Sequence, residues 1–119
     1  MLWRDASTAV SAEVGMIEEK IKQRGTTLLR RLILEPGEST RWHVDPFHRI
    51  TVIVRGDALA IERREGGGAE RFDVTAGMAD WDAPSDKVHR AVNVGTETYE
   101  EVTIFFLDHP DATPQPTVE

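Results

Sequence analysis

The sequence has no cysteine, which rules out a disulfide framework, a thiolate metal site and a cysteine nucleophile. Any metal must then be held by histidine and carboxylate. There is no apolar run near the roughly 18 residues that cross a bilayer, so no membrane partner is expected. The opening residues Met1-Leu2-Trp3-Arg4-Asp5 carry mixed charge and lack the apolar stretch of a secretory signal, which leads us to expect a cytoplasmic protein. Basic residues are also few. Fourteen Lys and Arg stand against 21 Asp and Glu, a formal net charge of −7 that would repel a phosphate backbone. With no dense Lys/Arg cluster to offset it, nucleic acid is not an expected partner. No glycine-rich phosphate loop precedes a helix, and no Ser-His-Asp elbow is present.

The chain has 119 residues, enough for one hydrophobic core. Val10, Val14, Ile17 and Ile21 are spaced four, three and four apart, which predicts a helix from about Ser7 to Gln23 ended by Gly25. The alternative is a break at Gly15 and an edge strand over Met16 to Ile21, turning at Gln23-Arg24-Gly25. From residue 26 the pattern changes to short β-prone runs: 27–34, 49–54, 58–63, 71–74, 78–81, 88–94 and 99–107. Turn residues separate them, among them Glu35-Pro36-Gly37, Arg55-Gly56-Asp57, Gly66-Gly67-Gly68, Ala76-Gly77 and Pro84-Ser85-Asp86. Many short strands with regular turn signals indicate an all-β sandwich or barrel. Residues 108–119 hold three of the six prolines and read as a loosely attached tail. The expected organisation is a 1–25 extension, helical or edge-strand, a 26–107 barrel, and a 108–119 tail.

Two stretches carry the chemistry. The first runs from Gly37 through Trp42-His43-Val44-Asp45-Pro46-Phe47-His48-Arg49 to Gly56; the second runs from Gly77 through Pro84-Ser85-Asp86-Lys87-Val88-His89 to Asn93. Together they resemble the two signature motifs of the cupin superfamily. The first family motif is glycine, five residues, His-x-His, three or four residues, Glu, six residues, glycine. The second is glycine, five residues, Pro-x-Gly, two residues, His, three residues, Asn. The gaps Gly37 to His43, Pro84 to His89 and His89 to Asn93 fit, as does the closing Gly56; the gap Gly77 to Pro84 is one residue longer. The resemblance is to the small single-domain cupins. It implies an all-β double-stranded β-helix, a jelly-roll barrel, often dimeric, with a pocket for a small-molecule ligand. A homodimer is expected on that ground.

The departures bear on function. Asp45 stands where the family has its second histidine, Arg49 where it has glutamate, and Asp86 where it has the glycine after proline. A three-His, one-Glu site is therefore absent. His43 and Asp45, two apart on an extended strand, point to one face, and the family pattern brings His89 from the opposite strand. Two imidazoles and a carboxylate form the facial triad of non-haem Fe(II) oxygenases, and His-x-Asp with a distant His also resembles the 2-oxoglutarate-dependent dioxygenases. The candidate ligand set is His43, Asp45 and His89 for one divalent ion, Fe, Mn, Zn or Ni. His48 joins it if Pro46 kinks the strand and faces away otherwise. The other reading makes His43 and His89 hydrogen-bonded pocket residues and Asp45 the former of the Asp-Pro turn. Arg49, Trp42, Trp81, Asn93 and Phe105 are the candidate substrate-binding residues of the pocket. The resemblance admits a metal-dependent dioxygenase, isomerase or lyase, or a metal-free binding or sensing module without catalysis.

Overall fold

The computed structural model describes residues 15–108 and the short strand Val10–Ser11. Among the described residues ten strands follow in chain order: β1 (Val10–Ser11), β2 (Met16–Arg24), β3 (Thr27–Leu34), β4 (His43–Asp45), β5 (His48–Arg55), β6 (Ala58–Arg63), β7 (Ala69–Asp73), β8 (Ala79–Asp82), β9 (Ser85–Val92) and β10 (Tyr99–Phe106). They form a six-stranded sheet, β1-β2-β3-β10-β5-β8, and a four-stranded sheet, β4-β9-β6-β7. From β3 onward the chain repeatedly crosses between the sheets, and all pairings are antiparallel. This is a jelly-roll sandwich. No helix among the described residues is long and apolar enough to cross a membrane.

The N-terminal helix is overturned. β2 is a nine-residue strand that pairs with β3 from Met16↔Leu34 to Arg24↔Thr27, with a register shift between Lys20 and Lys22. The spacing of four between Ile17 and Ile21 puts both on one face of a helix but, being even, also on one face of a strand, so it does not choose between the two; the register shift marks a bulge at Ile21. Gly25 closes the hairpin with a φ of 56°, a conformation glycine adopts freely. The alternative edge-strand reading of Met16 to Ile21 matches, although β2 is an integral member of the larger sheet. Residues 7–9 and 12–14 of the expected helix lie outside the described residues, as does the 108–119 tail apart from Asp108.

β10 organises the interior. It pairs with β3 on one side and β5 on the other, and its residues alternate buried and half-buried along the whole strand, the two-residue period of a sheet with one inward face. Tyr99, Glu101, Thr103 and Phe105 point inward. At the Tyr99 end the barrel is packed by Met16, Leu32, Leu34, Ile53, Leu59 and Ala91. The next layer, by register, is Thr103 with Arg30 and Thr51, and the one after is Phe105 with Arg49. The filling thus changes from apolar to polar along the barrel.

Gly56, which closes the first motif, has a φ of 136°, and a Cβ there would lie 3.0 Å from Tyr99 Cδ1 and 3.3 Å from Tyr99 Cα. Gly56→Ala is therefore expected to cost about 1–3 kcal/mol of stability, measured by urea unfolding. Gly67→Ala, also at positive φ but with open space around it, keeps the strain and lacks the clash. Equal losses in the two variants would show that contact with Tyr99 is not what reserves position 56 for glycine.

Candidate metal centre

His43 and His89 are Cα partners across the antiparallel pair β4 and β9, so their side chains leave the sheet on the same face. Their ring centroids are 4.6 Å apart. The Nδ1 of His43 lies 2.6 Å from the carbonyl oxygen of Arg41, and that of His89 lies 2.9 Å from the carbonyl of Lys87. A carbonyl only accepts, so each Nδ1 carries the proton and donates it. Both Nε2 atoms then turn to one oxygen, Asp45 Oδ2, at 3.4 Å for His43 and 2.9 Å for His89. A backbone carbonyl holding one ring nitrogen while the other is presented inward is the usual support of a metal-binding imidazole. The three residues offer ligand atoms all within 4.8 Å of one another, which suits a single ion. The donor set of two imidazoles and one carboxylate matches first-row divalent metals.

The electrostatics agree. Burial by itself would raise the Asp45 carboxyl, but hydrogen bonds from His43 and His89 and the charge of Arg49 outweigh it and hold the group well below the usual carboxylate range. Asp45 is a carboxylate at any pH of interest. The hydrogen bond to Asp45 raises His43 above the ordinary imidazole value, against an opposing effect of burial.

The group faces a cavity of about 500 Å³, a size suited to a small ligand. Arg49 lines it, with Nη2 3.6 Å from Asp45 Oδ2. His48 does not reach it. Arg49, Thr51 and Ile53 face inward, so alternation along β5 turns His48 outward despite Pro46; there its Nδ1 accepts a 3.1 Å hydrogen bond from Trp81 Nε1. Trp81 is 61% exposed and stacks on Phe106 with ring centroids 5.3 Å apart, so it too stands outside. Trp42 lies under the guanidinium of Arg90, 4.5 Å away, and is not in the cavity wall. Asn93, 1% exposed, donates to the carbonyls of Leu34 and Glu97 and accepts from the amide of Gly95; it ties the β9–β10 turn to β3. Phe105 points inward but packs under Arg30, 5.1 Å from its guanidinium, rather than against the cavity. Of the nine sequence candidates, the structure brings together His43, Asp45, His89 and Arg49.

A second polar cluster in the cavity wall was missed. Glu101 accepts a 2.5 Å hydrogen bond from the Tyr99 hydroxyl, one of 2.7 Å from Arg30 Nη2 and one of 3.0 Å from the Thr103 hydroxyl. Thr51 lies 3.3 Å from Thr103, and Arg30 also pairs with Glu18 at 3.1 Å. Burial first, then the charge of Glu101, pushes the Tyr99 phenol upward, so it stays protonated and donates. The sequence holds a faint signal: Tyr99, Glu101 and Thr103 share one face of a strand, and Arg30 interrupts an apolar one. An alternating strand is ordinarily read polar-side-out, and here the polar side faces in.

Among solved structures the likeness is to cupins. A cupin domain from Bordetella pertussis matches with a TM-score of 0.67 at 20% identity, over 76% of this chain and 91% of that one. A polyketide cyclase from Streptomyces resistomycificus matches with a TM-score of 0.63 at 14% identity, over 92% and 82%. An oxalate oxidase matches with a TM-score of 0.62 at 20% identity, over 84% of this chain and 55% of that one. No family model and no curated protein matches. The chain has the cupin fold, as the motifs implied.

The raised His43 has a stability consequence in metal-free protein. A raised folded-state value means that the His43–Asp45 pair stabilises the fold below the ordinary imidazole value of 6.5, and that this contribution is lost as pH rises through the higher folded value. In chelator, the melting temperature of the parent should exceed that of His43→Gln at pH 6, and the gap should narrow by pH 8. A gap that widens with pH would contradict the pairing.

Proposed function

We propose that the protein is a metal-binding cupin that holds one divalent transition-metal ion through His43, Asp45 and His89 and takes a small polar metabolite into the adjoining cavity. The observation that carries this is the shared target of the two Nε2 atoms: both imidazoles are oriented by backbone carbonyls and aimed at one carboxylate oxygen. Such an ion would supply Lewis acidity toward an oxygen of the ligand, or a site for dioxygen. Arg49 and the Arg30–Glu101–Thr103 cluster would orient the ligand, and the barrel wall would limit access of water. An oxalate oxidase and a polyketide cyclase among the structural neighbours show that this fold serves more than one chemistry, so dioxygenase, isomerase and lyase readings all stand under the metal-binding proposal.

One observation favours the rival reading, a metal-free binding or sensing module. Asp45 Oδ2 lies 2.9 Å from His89 Nε2, a hydrogen bond the pair can make without an ion once that nitrogen is protonated.

Elemental analysis of protein purified without added metal separates the two. The metal reading predicts near-stoichiometric transition metal in the parent, its loss in His89→Ala and its retention in His48→Ala. Equal metal content in the parent and His89→Ala would end the metal reading of this site.

A further inference from the structure

Arg49 is held in an unusual way for a guanidinium with a side chain only 15% exposed. Its nearest polar contacts are the carbonyls of Ala83 at 3.4 Å and Phe47 at 3.5 Å, Asp45 Oδ2 at 3.6 Å and Asp82 Oδ2 at 4.0 Å. A well-made arginine–carboxylate bond is about 2.7–2.9 Å long. Elsewhere in the molecule that length is reached: Arg30 to Glu101 at 2.7 Å, Arg90 to Glu62 at 2.8 Å, Arg31 to Glu19 and Arg55 to Glu100 at 2.9 Å. Arg63 and Arg71 are also loosely paired, but their side chains are 48% and 62% exposed and water serves them. Arg49 thus combines a sheltered cation with donors that are not well spent, and shelter without strong partners is costly for a charge.

Its place explains what the donors are for. Arg49 stands at the position where the cupin pattern has a glutamate, facing inward beside Asp45. The protein-borne carboxylate of the family pattern is replaced by a group that attracts one from outside. We propose that Arg49 captures the carboxylate of a small 2-hydroxy or 2-oxo monocarboxylic acid, seated in the cavity between the guanidinium and the His43–Asp45–His89 group. The inference rests on the metal-binding reading above and names the ligand class for that site. The planar fork of arginine matches a carboxylate in bidentate fashion. The oxygen on the adjacent carbon of such an acid lets the same molecule face the three metal-holding side chains. Beyond Asp45 and Arg49 the cavity wall carries five carboxylates against three cations, Arg30, Arg63 and Lys87, and this net negative lining disfavours a second carboxylate on the ligand.

The test uses the full chain loaded with Ni(II), titrated calorimetrically with 2-hydroxybutanoate, its uncharged amide 2-hydroxybutanamide, and the dianion 2-hydroxysuccinate. The parent is expected to bind 2-hydroxybutanoate about tenfold or more tightly than either of the others. Arg49→Gln should lose the preference for acid over amide while its metal content stays at the parent level. Arg49→Lys, which keeps the charge without the fork, should load metal and bind the acid with intermediate affinity. Undiminished acid binding by metal-loaded Arg49→Gln, or no measurable acid binding by the metal-loaded parent, overturns the inference and leaves the metal reading intact. A parent that takes up no metal overturns the metal reading, and the inference with it.

Discussion

The pairing of His43 with His89 across β4 and β9 is the contact on which the functional reading turns. Antiparallel register sends both imidazoles to one face, and backbone carbonyls at Arg41 and Lys87 fix which nitrogen each ring presents. Asp45, two residues along the same strand as His43, receives both. None of these residues comes from a long flexible loop. The site is defined by strand geometry, and its precision is that of the sheet.

The barrel around it trades stability for chemistry in a visible gradient. At the Tyr99 end Leu32, Leu34 and Ile53 fill the interior. Further along, the inward positions of β3, β5 and β10 are taken by Arg30, Thr51 and Thr103, where branched aliphatic residues would have packed without the need for hydrogen-bond partners. Arg30 and Thr103 donate to Glu101, and Thr51 bonds to Thr103, which satisfies much of that need. A sandwich selected for stability alone would have little use for such a layer directly beside a histidine–aspartate cluster.

The fold was legible because its signals are local and redundant: glycines and prolines at the turns, two motifs with characteristic gaps, and strand-length apolar runs between them. The common face of His43 and Asp45 was legible because a two-residue spacing on a strand fixes it, whereas the arrival of His89 opposite them was implied only by the resemblance of the second motif to the cupin pattern. What was not legible depends on register. The four-residue spacing of Ile17 and Ile21 suits a helix and a strand alike, so only the pairing of β2 with β3 settles it, and whether Pro46 would turn His48 inward was decided only by the pairing of β5 with β10 and β8. Trp42, Trp81, Asn93 and Phe105 were chosen by type and motif position. Their actual roles, against Arg90, Phe106, the β9–β10 turn and Arg30, depend on neighbours distant in the chain. The inward polar face of β10 was missed because alternation shows that a strand has two faces without showing which one meets the core.

The central claim, that β4 and β9 bring three side chains to a common point able to hold an ion, is tested most directly by anomalous diffraction from crystals grown with Co(II). The account predicts one strong anomalous peak within bonding distance of His43 Nε2, His89 Nε2 and an Asp45 oxygen. A peak at His48, or no peak within reach of the three side chains at full cobalt loading, would contradict it.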